Sequence, residues 1–183
     1  GAYTLLLSGY TTDASDNFFK RRALLRFTLT NQIPTNIYVT NVSLTLTVTQ
    51  VPADPISSTF NLHRMTAAWI EGVGTGDAGS PANAGEPTWN NRVHPSTPWK
   101  SSLAGGAQGD FVAASGSKLI TGVGSYTFTN AALIADVQAW ANNPGTNFGW
   151  ILISGSESTV DTLRWFGSRQ NSTTNNRPTL VVQ

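Results

Sequence analysis

The chain has 183 residues and a formal net charge of +1, with 39% hydrophobic and only 11% charged residues. Disordered chains combine low hydrophobicity with high net charge, so this composition excludes disorder, and it lacks the basic surface that nucleic-acid binding requires. Zero cysteines exclude disulfides, zinc thiolate sites and thiol nucleophiles. No apolar run approaches the roughly 18 residues that span a bilayer, so we expect no membrane insertion. The length predicts a single domain, 1–183.

Residues 2–8, which are mostly apolar, predict the first strand. Tyr3, Leu5 and Leu7 fall on one face. An unpaired strand edge is a template for another chain. The segment 1–8 therefore pairs either within its own sheet or with a second copy, and these three residues are candidate assembly contacts.

Residues 22–29 predict a second strand. Arg22 and Arg26 share its outer face, and we expect the adjacent pair Arg21–Arg22 to be a solvated strand start. The predicted core face of this strand carries Ala23, Leu25, Phe27 and Leu29.

Residues 41–50 alternate without interruption between apolar and hydroxyl side chains. β-branched residues on both faces favour a pleated strand. We predict a central antiparallel strand that is buried on one side only. Thr45 and Thr47 lie in the middle of the hydroxyl side and are candidate contacts with a neighbouring copy. The apolar side consists of Val42, Leu44, Leu46 and Val48.

A strand is predicted over residues 59–69, followed by a loop, 71–109, that is rich in Gly, Pro, Ser and Asn. Loops beyond about 15 residues are uncommon in compact domains and are often functional. We expect this loop to be structured, with Trp89 and Trp99 holding it in place.

One helix is predicted near residues 131–142, with Asn130 as its N-cap and an apolar stripe at helical spacing. The almost continuous apolar segment 148–154 predicts a strand that is covered on both faces. Further short strands are predicted over 110–113, 118–121, 125–129, 160–166 and 178–183. The whole pattern predicts an all-β fold, a jelly-roll-type β-sandwich of about nine antiparallel strands with one short helix.

Residue patterns for catalysis are weak. A zinc enzyme needs about three suitably spaced ligands, and the chain contains only two histidines. The best enzymatic case is a glycosidase-like pair of carboxylates in the loop region. The alternative is that Glu71 pairs with a strand arginine such as Arg64 or Arg169, while the other acids are solvated or bind a cation, and we expect no enzyme activity. These acids are Glu71, Asp77, Glu86 and Asp110.

We expect no cofactor. Calcium is a milder alternative, because loop carboxylates and carbonyls are its usual ligands. No calcium-loop motif supports it. The candidate ligands are Asp13, Asp16, Asp77 and Asp110.

Three of the six tryptophans border the long loop: Trp69, Trp89 and Trp99. Together with Asn90 and Arg92 they could bind a polysaccharide, since sugar rings stack on indole faces and present hydroxyls at the rim. The alternative is a small core beneath the loop. The other three tryptophans are expected in the main core: Trp140, Trp150 and Trp165.

The order of several short motifs resembles the DNRLRE domain family over roughly residues 20–183. The N-terminal part of the pattern is Arg22-Ala-Leu-Leu-Arg-Phe27, Ile33-Pro34 and Val42-Ser-Leu-Thr-Leu46. The remainder is Trp69-Ile-Glu71, Thr88-Trp89, Trp99, Val137-Gln-Ala-Trp140, Gly149-Trp150, Ser168-Arg169 and Arg177-Pro-Thr-Leu180.

The resemblance implies a secreted or cell-surface jelly-roll domain of prokaryotes, without catalysis, of a kind related to carbohydrate-binding modules. Two functional hypotheses remain. The first is a structural or adhesive protein that associates with copies of itself in a surface layer, matrix or filament. The second is a soluble carbohydrate-binding module. The triplets that begin at Asn41 and Asn171 match the glycosylation pattern without deciding between them.

Overall fold

The computed structural model describes residues 2–12, 17–30, 32–34, 37–74, 81–101 and 104–183. Within them the fold is all-β with a single short helix, as predicted. The strands are β1 (Leu5–Thr12), β2 (Phe18–Arg21), β3 (Ala23–Leu25), β4 (Val42–Gln50), β5 (Ser58–Met65), β6 (Asn91–Val93), β7 (Thr97–Pro98), β8 (Phe111–Ile120), β9 (Gly124–Phe128), β10 (Trp150–Ser154), β11 (Arg164–Gly167) and β12 (Thr179–Val182). The helix is α1 (Ala131–Asn142).

Two antiparallel sheets make up the sandwich. In the first sheet β4 is central, with β9 along one edge, while β12 and β11 share the other edge and β1 and β2 follow β11. The second sheet has the order β3-β10-β5-β8. A short β6–β7 hairpin lies in the long loop. The N-terminal strand β1 pairs with β11 and β2, so it lies in the sheet of its own chain.

The alternation along β4 is as predicted. Its four apolar side chains are almost completely buried, and the hydroxyl residues between them are half-buried. The apolar side packs against the second sheet in the main core, where the rings of Phe60 on β5 and Phe166 on β11 meet edge to face at 5.7 Å. One face of β4 is therefore structural and the other is directed outward.

Strand β10 is buried on both faces, which confirms the prediction for this segment. Trp150 and Leu152 belong to the main core between the sheets. Ile151 and Ile153 face the other way and join a second apolar cluster. The second sheet is thus the middle layer of three.

Helix α1 confirms the predicted bounds, and the Asn130 side chain accepts a bond from the N–H of Ala132 at 3.0 Å. Its buried Asp136 accepts from the Trp150 indole N–H at 2.8 Å and pairs with Arg64 at 2.8 Å. These bonds attach the helix to β10 and β5. No helix among the described residues has both the length and the apolar character needed to cross a membrane.

Some strand boundaries differ from the prediction. The polar stretch after Gly9 contributes to β1 and β2, which pair from Gly9–Arg21 to Thr12–Phe18. The two short segments around Gly116 form one strand, β8, which pairs with β5 on both sides of this glycine. Glycine favours a turn in a sequence, but here the pairing with β5 continues through it.

Arg164 closes one end of the sandwich. Its side chain is fully buried and donates to the carbonyls of Ile56 (2.7 Å), Leu163 (2.9 Å) and Asp161 (3.2 Å). Burial lowers the pKa of this guanidinium, which still remains charged because arginine does not lose its proton in proteins. It thereby joins the start of β11 to the segment before β5, through Ile56, and to the residues just before β11, through Asp161 and Leu163.

We expect Arg164→Leu to lower the free energy of unfolding by about 3 kcal/mol, because buried carbonyls would lose their donors. Chemical denaturation followed by circular dichroism measures this loss. The control is Arg177→Leu, which changes an exposed arginine and is expected to cost less than about 1 kcal/mol. Equal losses in both variants would contradict the structural role of Arg164.

Candidate functional site

The long loop covers the outer face of the second sheet, and we call residues 66–74, 81–101 and 104–110 the cover layer. Trp69 and Trp99 anchor it in the second apolar cluster, with 7% and 2% of their surfaces exposed. The indole N–H of Trp99 donates to the Thr88 carbonyl at 2.9 Å, and that of Trp69 to the Phe148 carbonyl at 2.8 Å. Both rings are therefore occupied by folding contacts.

Trp89 is the exposed tryptophan of the cover layer, with 38% of its surface accessible. Its ring lies so close to Gly105 and Gly106 that a Cβ at either position would overlap it. Both glycines have positive φ values, 62° and 59°, which other residues rarely adopt. The guanidinium of Arg22 stacks over the ring at 5.3 Å from its centroid.

Arg22 connects the cover layer to the sandwich. It forms a two-pronged ion pair with Glu157 at 2.7 and 2.5 Å and donates to the Gly106 carbonyl at 2.6 Å. Only 13% of its side chain is exposed. The prediction of a solvated Arg21–Arg22 pair is wrong for Arg22, because the cover layer closes over it.

A groove of about 470 Å³ runs beside Trp69 between the cover layer and the sandwich. We call it the polar groove. The Arg26 guanidinium lies 5.4 Å from the Trp69 ring centroid. Glu71 and Arg169 form an ion pair at 2.9 Å on its wall. Charged hydrogen-bonding groups beside an apolar wall can bind a polar ligand in a fixed orientation.

A smaller cavity of about 220 Å³ adjoins Trp89 and Trp99. It shares Leu24 and Pro87 with the polar groove as common walls. Arg22 also lines this cavity. The cavity and the groove are therefore neighbouring spaces, separated by Leu24 and Pro87.

Two of the predicted binding residues line neither space. The Arg92 side chain donates to the Ala68 carbonyl at 3.1 Å, within the cover layer. Asn90 is exposed, and its backbone carbonyl accepts from the backbone N–H of Trp99 at 3.1 Å. The five predicted residues thus share one layer but form no single platform.

Sequence reasoning did not assign Arg22 and Arg26 to this region. The available signal was their shared position on the outer face of one predicted strand. In the structure each stacks over a different tryptophan of the cover layer. Alternation alone gives the face of a residue, whereas its partner depends on the course of the loop.

The described carboxylates of the loop region are engaged in folding contacts. Glu86 accepts from the N–H groups of Val73 (2.6 Å) and Asn83 (2.8 Å), and Asp110 accepts from the N–H of Lys100 (2.6 Å). Glu71 pairs with Arg169, one of the two arginines expected. Glu86 and Asp110 are buried, so the expectation that they are solvated is wrong.

The parts of the chain that the structure describes contain no group of three or more His, Cys, Asp or Glu residues that could hold a metal ion. The calcium candidates Asp13, Asp16 and Asp77 lie outside the described residues. The Nδ1 atom of His63 lies 2.9 Å from the Val112 carbonyl.

The N-terminal assembly candidates lie within the first sheet. Leu5 is opposite Gly167, and Leu7 is opposite Trp165. The carbonyl of Tyr3 accepts from the Ser168 hydroxyl at 2.7 Å. An assembly contact through these residues would therefore use an already paired strand.

Thr45 and Thr47 lie on an outward surface that we call the hydroxyl face, formed by the outward side chains of β4, β9 and β12. Opposed residues of an antiparallel pair share a face. Thr45 is bonded to the hydroxyl of Thr127 at 2.8 Å, and Thr47 to that of Ser125 at 2.9 Å. Thr179 is the opposite neighbour of Thr45, and Val181 on the same strand is 44% exposed.

Comparisons with family models, with curated proteins and with solved structures found no match to this chain. The resemblance to the DNRLRE family remains a prediction from the motifs.

We expect the stability of the cover layer to depend on pH through Glu86. Bonds from the backbone of Asn83 and Val73 stabilise the ionised carboxylate and hold the pKa of Glu86 below its ordinary value. The contribution is therefore present above the unfolded pKa, about 4.3, and is lost as the pH falls through the lower folded pKa. Because intrinsic amide exchange itself slows as the pH falls, the measured quantity is the protection factor, which should decrease at Val73 and Asn83 in that acidic range.

Glu86→Gln should remove this acid-dependent loss of protection. The control is Asp54→Asn, a change of an exposed carboxyl in a turn. Protection factors at Val73 and Asn83 that follow the same pH profile in the Glu86→Gln variant would contradict the assignment.

Proposed function

We propose that this protein is a non-catalytic, extracellular structural subunit that associates with further copies of itself through the hydroxyl face. The observation that carries the proposal is the absence of charge on this surface. None of the three strands β4, β9 and β12 contains an Asp, Glu, Lys or Arg. Charged side chains are a common means by which natural sheets avoid association.

The chemistry of the hydroxyl face suits contact with a similar surface. Its threonine and serine hydroxyls both donate and accept hydrogen bonds. The cross-strand pairs hold them in fixed positions, so less side-chain entropy is lost on association. The exposed Val181 adds apolar surface beside them.

The engagement of the described loop carboxylates supports the non-catalytic part of the proposal. A general acid or base must reach a substrate proton. Glu86 and Asp110 instead accept backbone N–H groups of their own chain. Replacement of either carboxylate would therefore remove hydrogen bonds that hold the cover layer.

Association should appear as a rise in mass with protein concentration in sedimentation equilibrium. The double variant Thr45→Lys and Thr47→Lys should remain monomeric, because two like charges on each copy would repel across the interface. A wild-type protein that stays monomeric at every concentration would refute the proposal.

The matched control carries the same added charge elsewhere. Ala113 and Leu119 on β8 are exposed, and changing both to lysine should leave association intact. Circular dichroism must show that both double variants are folded.

A second candidate function is polysaccharide binding at the polar groove. The specific observation in its favour is the convergence of Arg26, Glu71 and Arg169 beside the Trp69 ring. Guanidinium and carboxylate groups can bond to neighbouring sugar hydroxyls, and the apolar wall can receive the C–H face of the ring.

Arg169→Ala should weaken binding of a polysaccharide by about tenfold or more, because hydrogen bonds from charged groups are stronger than neutral ones. The Arg169 side chain is 68% exposed, so the fold should tolerate this change. Binding to a panel of polysaccharides, measured by glycan array and calorimetry, tests this. The control is Lys118→Ala on β8. Equal affinities of the two variants for the polysaccharide would show that it does not bind at the polar groove.

A further inference from the structure

One edge of β12 has no strand partner in the described chain. On its other edge, Gln183 and Asn41 exchange reciprocal backbone bonds of 2.9 and 3.2 Å. Bonded pairs alternate along an antiparallel ladder, so Val181 and Thr179 also bond to β4. The N–H and C=O groups of Leu180 and Val182 consequently point away from β4, and no described residue bonds to them.

An apolar seam lies along this open edge, with a volume of about 380 Å³. The half-buried side chains of Leu180 and Val182 form one wall and pack on the main core. Phe27, Leu29 and Ile37 supply the facing wall. None of the residues that line the seam is charged.

The seam and the edge together select a particular kind of ligand. The two outward N–H and C=O groups recur with the strand period of two, as do the apolar side chains beside them. A peptide backbone can satisfy a row of alternating donors and acceptors while its alternate side chains enter an apolar groove. The uncharged lining favours a segment that carries no charge, since burial of an unpaired charge is costly.

We propose that an extended, uncharged polypeptide segment with apolar side chains at alternate positions binds here as an added strand beside β12. This inference is independent of the proposed association through the hydroxyl face. It uses the opposite side of the β12 side-chain pattern, Leu180 and Val182 rather than Thr179 and Val181.

The edge strand β3 also borders a groove with core-packed walls, but the charged side chains of Arg26, Glu71 and Arg169 line that groove. Helix α1 packs against β8, and β9 lies beside β8. Among the cavities of the described chain, the seam at β12 joins an open edge to walls formed by core-packed apolar residues. The seam lies here because β3 ends at Leu25. The residues that follow leave the second sheet, and Phe27, Leu29 and Ile37 among them line the seam.

A short capped peptide of alternating threonine and valine is the probe. On its addition, amide exchange should slow at Leu180 and Val182, while Thr179 and Val181, already bonded to β4, should not change. The control peptide carries N-methyl groups on the amides of one edge, so it cannot donate to β12. It should bind at least about tenfold more weakly.

The protein variant Val182→Pro removes a donor from the open edge and should lower the affinity of the probe by about tenfold or more. Val181→Thr, on the outward face of the same strand, should bind normally. Unchanged exchange at Leu180 and Val182, or equal protection by the methylated peptide, would overturn the proposal. Protection that rises with protein concentration alone would assign the edge to a second copy and would also overturn it.

Discussion

Burial of β10 on both faces is the constraint on which the architecture depends. An apolar strand of this kind needs a layer on each side, because exposure of either face would leave large apolar side chains in water. The first sheet covers Trp150 and Leu152, and the cover layer covers Ile151 and Ile153. The long loop is therefore a structural layer, and the main role of its buried tryptophans, Trp69 and Trp99, is to pack that layer against the sheet.

The same constraint decides which surfaces remain for function. Trp69 and Trp99 lose their exposed faces to the second cluster, whereas Arg22, Arg26 and Trp89 form the boundary of the layer. On the hydroxyl face of the first sheet the β4 residues are half-buried, and the Thr47 hydroxyl lies 3.5 Å from the Asn175 carbonyl. The two proposed functions use different surfaces, the hydroxyl face of the first sheet and the groove beside the cover layer, and the strand-addition seam lies along the open edge of β12.

Periodicity predicted those elements whose environment is uniform along their length. The apolar side of β4 and the bounds of α1 follow from patterns of two and 3.6 residues, the double burial of β10 follows from a continuous apolar segment, and the structure confirms all three. Glycine and polar residues were less informative. Gly116 separates two predicted strands, 110–113 and 118–121, yet it lies within β8, because the pairing of β8 with β5 joins residues distant in the sequence.

The sequence by itself determined the all-β class, the single helix, the outward row of hydroxyls on β4 and the low charge of the surface, because these depend on local periodicity and composition. Only the tertiary structure decided that β1 pairs within its own chain, that Arg22 is enclosed by Glu157 and the cover layer, and that β12 keeps an open edge. The pairing of β1 with β11 and the ion pair of Arg22 with Glu157 each join residues more than a hundred positions apart. Their free energy depends on which surfaces meet after folding, and no local pattern carries that information.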